Sequence, residues 1–202
     1  SSVGNAVVCV AVPERDMRAP LMRRPLDAFL IFFFVIYVFV CIFIDVAAVL
    51  EDNFLEGTPR NSSWPPQPVF DAILWWGRTF DPLMTANPFY YKACVWPHVL
   101  FQAPMALIFA LGFLFCWNWI RDWVIVWSTM VIYSTVLLIA GNIWDPQVES
   151  APFPGIMAVM YMPWVVFPLL ALKRVWGKTD LFPTAAAPGS RSTNPNKESK
   201  QH

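Results

Sequence analysis

Charge is what this 202-residue chain has least of. Asp, Glu, Lys and Arg together make up 14% of it, against about 25% in an ordinary soluble domain. The 14 basic and 14 acidic residues cancel, so there is no net field to draw nucleic acid or another polyanion, and no nucleic-acid partner is expected. Histidine is scarcer still, with only His98 and the terminal His202. The four cysteines, Cys9, Cys41, Cys94 and Cys116, form no C-x-x-C pair, and three of them lie inside apolar runs. That pattern supports neither a metal site nor a disulfide framework, and the cysteines read as small apolar packing residues. No internal repeat and no cofactor-binding signature is visible, so no cofactor is expected.

Apolar residues fill the space that charge leaves. They make up 57% of the chain, with 11 Trp and 17 Phe among them. Four stretches are long enough to cross a hydrocarbon layer, which takes about 20 helical residues. They run from about Leu26 to Leu50, Phe89 to Cys116, Trp123 to Trp144 and Gly155 to Trp176. Backbone polar groups in lipid must be paired within the segment, so all four are expected as helices. The fold class is therefore all-α, an integral membrane four-helix bundle with proline-kinked helices. Its expected parts are an N-terminal segment 1–25, a membrane domain 26–176 and a polar tail 177–202.

Basic residues near the helix ends set the expected orientation. The N-terminal segment has Arg15, Arg18, Arg23 and Arg24, and the C-terminal side has Lys173, Arg174 and Lys178. The loop DPQVESAPFP between the third and fourth helices has no Lys or Arg at all. Both termini are therefore expected on the cytoplasmic side, which the even helix count fits. The chain opens on Ser1, which fits a processed or trimmed start, and Val7 to Val12 lacks the basic lead-in of a signal peptide. Residues 51–88 are too long for a bare connector. Their second half, VFDAILWWGRTFDPLM, has apolar residues near helical spacing and predicts a short amphipathic helix that lies on the lumenal interface or caps the bundle. Asn61-Ser62-Ser63 in the same loop makes Asn61 a glycosylation candidate. The tail from Asp180, rich in Ala, Pro, Ser, Asn and Lys, is expected to be disordered by itself.

A few polar residues stand out because a membrane makes them costly. An Asp at a helix centre costs about 2.5–3.5 kcal/mol on the insertion scale. Asp45, in CIFIDVAAVL, is either hydrated near the helix end or turned inward and paired; the apolar residues on both sides of it favour the inward reading. In WPHVLFQAP, His98 and Gln102 stand four apart and are expected on one helical face. Pro97 and Pro104 each remove a backbone hydrogen bond and kink that helix. Pro163 and Pro168 do the same in YMPWVVFPLL, where Tyr161 and Trp164 add rings with one polar atom each. Ser128, Thr129, Tyr133, Ser134 and Thr135 on the third helix either line a cavity or bridge helices. A bundle this kinked and aromatic is expected to leave a large apolar pocket with few polar groups.

Taken together, these segments resemble the EXPERA superfamily. IDVAAVL resembles its first-helix motif, and FDPLM resembles a second acidic motif with Asp81 in the acidic position. KACVWPHVLFQAP resembles the second-helix pattern of the sigma-two branch, and YMPWVVFP its fourth-helix Tyr-x-Pro pattern. The resemblance implies that Asp45 matches the acid that pairs with a ligand's protonated amine, and that Asp81 is structural. His98 is a departure, since the sigma-two pattern has Glu there. The sterol isomerase branch has His at that position and Glu one turn later, where this chain has Gln102. The isomerase's third-helix acid has no counterpart either, because no Asp or Glu lies between Val124 and Ile143.

The function this implies is non-enzymatic binding of a sterol or other lipid in an internal cavity, with a role in sterol trafficking. The ligand-binding set is Asp45, His98, Gln102, Tyr161 and Trp164; the structural set is Asp81, Pro97, Pro104, Pro163 and Pro168. Catalytic residues and metal ligands are not assigned. An accessory subunit of a larger membrane complex is the alternative, and a sterol isomerase the second, with a homodimer or other membrane subunits as further partners. The expected location is the endoplasmic reticulum membrane, or an organelle inner membrane for the accessory subunit.

Overall fold

A computed structural model describes residues 20–52, 54, 60–146, 148 and 152–183. After a 3-10 turn at Leu21–Arg23, the elements are α1 (Pro25–Leu50), α2 (Gln67–Phe80), α3 (Pro82–Ala86), α4 (Phe89–Phe115), α5 (Ile120–Trp144) and α6 (Pro154–Val175). Four of them, α1, α4, α5 and α6, are long and apolar enough to span a membrane. No strand occurs among the described residues. The helix bounds expected from hydropathy agree to within a few residues. The helix expected in the first loop is present as α2, with α3 following it across Asp81.

The spans are not uniform α-helices. Each of two spans contains one wider π turn, Cys41–Asp45 in α1 and His98–Gln102 in α4. The α4 turn has a visible cause: it lies between Pro97 and Pro104, neither of which has an N–H to donate. In α1 the Val46 N–H bonds the Cys41 carbonyl, which leaves the Ile42 carbonyl without its α-helical donor. Trp64 supplies one, its Nε1–H donating to Ile42 O at 2.8 Å. Trp127 Nε1–H likewise donates to Gln102 O at 2.8 Å, pinning the end of the α4 turn to α5. Two indoles thus satisfy backbone groups that lipid cannot. The α6 span breaks at Met162, just before Pro163, and resumes through Pro168.

The core is divided. One apolar cluster lies toward the N-terminal end of α1 and holds Leu30, Phe34, Phe109, Phe113, Trp127 and Val175. The other lies under α2 and α3 and holds Ala47, Phe54, Ile73, Leu83, Tyr91 and Leu138. Between them, on α1, α4 and α5, sit the buried polar residues Asp45, His98, Gln102, Ser134 and Thr135. A polar layer at this depth is tolerable only if its members satisfy one another.

At the opposite end from α2, Asp27 is buried and paired twice. Arg174 reaches it through Nε at 2.6 Å and Nη2 at 3.1 Å, and Arg24 through Nη1 at 3.2 Å. Both guanidinium groups lie over the Phe182 ring at 5.3 Å, and Asn118 holds the Phe182 backbone through Phe182 N–H at 2.7 Å. Leu181 and Phe182 are therefore buried, so the tail expected to be loose from Asp180 begins with two packed residues. Residues 184–202 lie outside the described ones. Exposed Trp119, Trp123 and Trp176 surround this end with the half-buried Trp117, and Trp64, Trp75 and Trp144 the other, as aromatic belts do at the two faces of a bilayer.

Replacing Asp27 by Ala leaves two part-buried cations with no acid between them. Asp27→Ala is expected to cost about 3–5 kcal/mol and to lower the melting temperature in detergent clearly. Asp122→Ala, which breaks only an exposed pair with Arg121, is expected to leave the melt nearly unchanged.

Candidate functional site

The polar layer opens into a cavity of about 280 Å³. Every helix contributes to its wall, with Tyr37 and Asp45 from α1, Trp76 from α2, His98 from α4, Thr135 from α5 and Trp164 from α6 among the lining. Most of the wall is aromatic or aliphatic, and the polar groups are few and convergent, as in small-molecule sites generally.

Asp45 is turned inward, at the end of the α1 π turn, and is buried. Its Oδ2 lies 3.2 Å from His98 Nδ1. His98 Nε2 lies in turn 2.9 Å from Ser134 Oγ, and Ser134 Oγ–H reaches the Val131 carbonyl at 3.1 Å. Acid, imidazole and hydroxyl therefore form one relay across α1, α4 and α5. The imidazole is held at both nitrogens, which fixes its ring orientation.

Asp81 forms a second centre on the same cavity wall. Tyr161 OH donates to its Oδ2 at 2.6 Å, and Asn142 Nδ2 to its Oδ1 at 2.9 Å. The Met84 N–H donates to Oδ1 at 3.2 Å, so Asp81 also caps α3. Asn142 completes the tie by accepting the Leu83 N–H at 3.2 Å. Burial pushes the Asp81 carboxyl above the usual carboxylate range, and the bonds from Tyr161, Asn142 and Met84 pull it back. Gly77 belongs to this junction as well: a Cβ there would meet Thr85 Oγ1 at 2.4 Å, so α2 can pack onto α3 only with glycine at that position.

Of the five residues expected to bind a ligand, Asp45, His98, Tyr161 and Trp164 line the cavity. Gln102 is buried beside it, where its Oε1 accepts the Tyr37 hydroxyl and its carbonyl accepts the Trp127 indole. The bond from Tyr37, which no local spacing signals, fixes the Gln102 side chain beside the wall rather than on it. Pro97 and Pro104 flank the α4 turn, Pro163 follows the α6 break, and Pro168 is inside α6. Among the α5 candidates, Thr135 faces the cavity, Ser134 bonds His98, and Thr129 and Tyr133 are exposed. Sequence reasoning missed Tyr37, Trp76 and Tyr91 on the wall. Aromatic residues are so frequent here that nothing in their local spacing separates wall from core.

A four-span membrane protein with a polar layer opening on an aromatic cavity is the class this geometry defines. Residues 70–175 match the family EXPERA (EXPanded EBP superfamily), and the chain belongs to that superfamily. It is similar to sigma intracellular receptor 2 of Homo sapiens, with 23% identity over 169 residues that cover 77% of this chain and 90% of that protein. The Macaca fascicularis protein of the same name is 22% identical over the same shares.

At Asp81, one carboxylate meets three donors. An amide in its place offers a single acceptor oxygen and turns an N–H₂ toward the remaining donors. Asp81→Asn is therefore expected to destabilise the protein by roughly 1–3 kcal/mol, read as a lower melting temperature together with faster protease cleavage in the α2–α3 cap.

Proposed function

We propose that this protein binds a sterol or another lipid without transforming it, in the cavity between the four spans, with Asp45 holding the ligand's polar or cationic head. The observation that carries the reading is the inward carboxylate of Asp45, oriented by His98, on the wall of an otherwise largely apolar cavity. Tyr161 and Trp164 wall the apolar body of the ligand. The volume of about 280 Å³ lies just under the range of about 300–1,000 Å³ usual for ligand pockets, so a sterol requires some widening. The least buried span is α6, with 17% of its apolar window buried, and its break at Met162 is where it can give.

Isomerisation is disfavoured on chemical grounds. Moving a double bond needs groups that donate and remove protons at two places on the substrate. Gln102 is an amide turned to Tyr37, and α5 carries no acid between Val124 and Ile143. A role in sterol trafficking from the endoplasmic reticulum goes with the binding reading.

Orientation with both termini cytoplasmic draws support from the basic end formed by Arg23, Arg24, Lys173, Arg174 and Lys178. On that orientation Asn61 is lumenal, and its side chain is exposed, 3.0 Å from Asp52. A glycosidase-sensitive mobility shift that disappears in Asn61→Gln is expected. A chain expressed in the secretory pathway that never shows the shift would remove Asn61 from this role.

The binding reading is tested by titrating reconstituted protein with a radiolabelled sterol and, separately, a radiolabelled lipophilic amine. Asp45→Asn is expected to lower amine affinity by about tenfold or more, since a desolvated charge pair is lost, and to weaken the sterol less. Equal amine affinity in the two proteins would take Asp45 out of the site.

A further inference from the structure

The protons around His98 can be counted, and the count leaves a choice. A neutral imidazole has one N–H, so with partners at both nitrogens it donates to one and accepts from the other. If Ser134 keeps its hydrogen on the Val131 carbonyl at 3.1 Å, Ser134 Oγ needs His98 Nε2–H. Nδ1 then presents a lone pair to Asp45 Oδ2 at 3.2 Å, and that contact is repulsive unless one further proton lies between them. If Ser134 turns its hydrogen to Nε2 instead, Nδ1–H donates to an ionised Asp45. The Val131 carbonyl also accepts the Thr135 hydroxyl at 2.7 Å, so it is satisfied either way. The relay has two self-consistent states that differ by one proton, one neutral overall and one anionic.

The surroundings select between them by what they lack. Tyr37 and Cys41 face the pair from α1, Tyr91 from α4, Tyr161 from α6 and Asp81 from the α3 cap. The α5 span brings only the hydroxyls of Ser134 and Thr135, and α2 only Trp76. No Lys or Arg is among the residues lining the cavity, so nothing but a proton balances Asp45. Asp81 is not the holder of that proton, because Tyr161, Asn142 and the Met84 N–H all donate to it and leave its oxygens as acceptors.

We infer that the Asp45–His98 pair keeps a shared proton while the cavity holds no cation, releases it to solvent when a cationic head settles beside Asp45, and retains it when a neutral hydroxyl head binds. His98 is thereby the residue that sets ligand class: it lets one pocket accept either head without stranding a charge. Two carboxyl groups sharing a site can also hold one proton between them. Imidazole differs because its second nitrogen is tied to Ser134, so the relay keeps a closed set of bonds in both states. The inference rests on the ligand-pocket reading proposed above.

The probes are dodecyltrimethylammonium, which has no proton of its own to lose, and dodecanol, its neutral counterpart. Each is titrated calorimetrically into the full chain in lipid nanodiscs, with empty nanodiscs subtracted. The titrations are repeated at one neutral pH in phosphate and in Tris, whose ionisation enthalpies differ. The native protein is expected to release about one proton per bound cation and none per bound alcohol. His98→Gln, which leaves the extra proton to the Asp45 carboxyl alone, is expected to release less than the native protein per bound cation. Ser134→Ala strips Nε2 of its partner and opens the relay, so release is expected to fall below the native value while saturable cation binding persists. Saturable cation binding with no proton released by the native protein would overturn the coupling alone, as would equal release from His98→Gln. Absence of saturable binding by both probes would overturn the pocket reading, and the coupling with it.

Discussion

Every polar group placed between lipid-facing walls must find its partner inside the protein, and the architecture follows from that demand. The α1 π turn deprives the Ile42 carbonyl of its helical donor, and the Trp64 indole supplies one, while the Trp127 indole ties the end of the α4 turn to α5. Three of the four acids buried among the described residues are each closed differently: Asp27 by two guanidinium groups, Asp81 by three neutral donors, and Asp45 by an imidazole. The first two hold the ends of the bundle together. Asp45 has the least complete shell of the three and the cavity beside it, which is why the chemistry is expected there.

The division of the core gives that site its place. An apolar cluster on each side makes the polar layer a seam with packed material above and below. Closing such a seam with aliphatic side chains would be easier in free energy, since a buried ionic pair rarely outperforms well-packed apolar residues. Retaining it while the bundle is anchored elsewhere, through Asp27 and Asp81, is consistent with a role other than stability. The junction at Asp81 also connects the site to the cap, because Tyr161 joins Asp81 to the cavity wall from α6.

Much of this was legible in the amino-acid sequence, and the rest was hidden for specific reasons. Hydropathy located the four spans because about 20 apolar residues in a row have few other uses. Asp45 and His98 were legible because membrane burial makes such residues conspicuous. The α4 distortion was half visible in Pro97 and Pro104, but the α1 turn has no proline to mark it. Gln102 is not on the wall, a placement that no local pattern signals, because its Oε1 accepts the hydroxyl of Tyr37 on another span. Asp27 drew no attention, since its main partner Arg174 is 147 residues away and each alone looks like an ordinary helix-end charge. Leu181 and Phe182 sit in a segment of disordered composition, and only the guanidinium platform beneath Phe182 explains their burial.

The order Asp45, His98, Ser134 is also that of a hydrolytic relay, in which the acid orients imidazole and imidazole takes the hydroxyl's proton. Two features of this site argue against that use. A nucleophile must face the substrate, and Ser134 is absent from the cavity wall that His98 and Thr135 share. An acyl-transfer transition state also needs convergent N–H donors for its oxyanion, whereas the relay residues all belong to helices whose amides bond along their own axes, and the nearby prolines have no amide hydrogen at all. With its hydroxyl off the cavity wall, Ser134 works on His98 rather than on a ligand. It offers the imidazole a partner that can be donor or acceptor, so Asp45 can change its charge state without breaking a hydrogen bond.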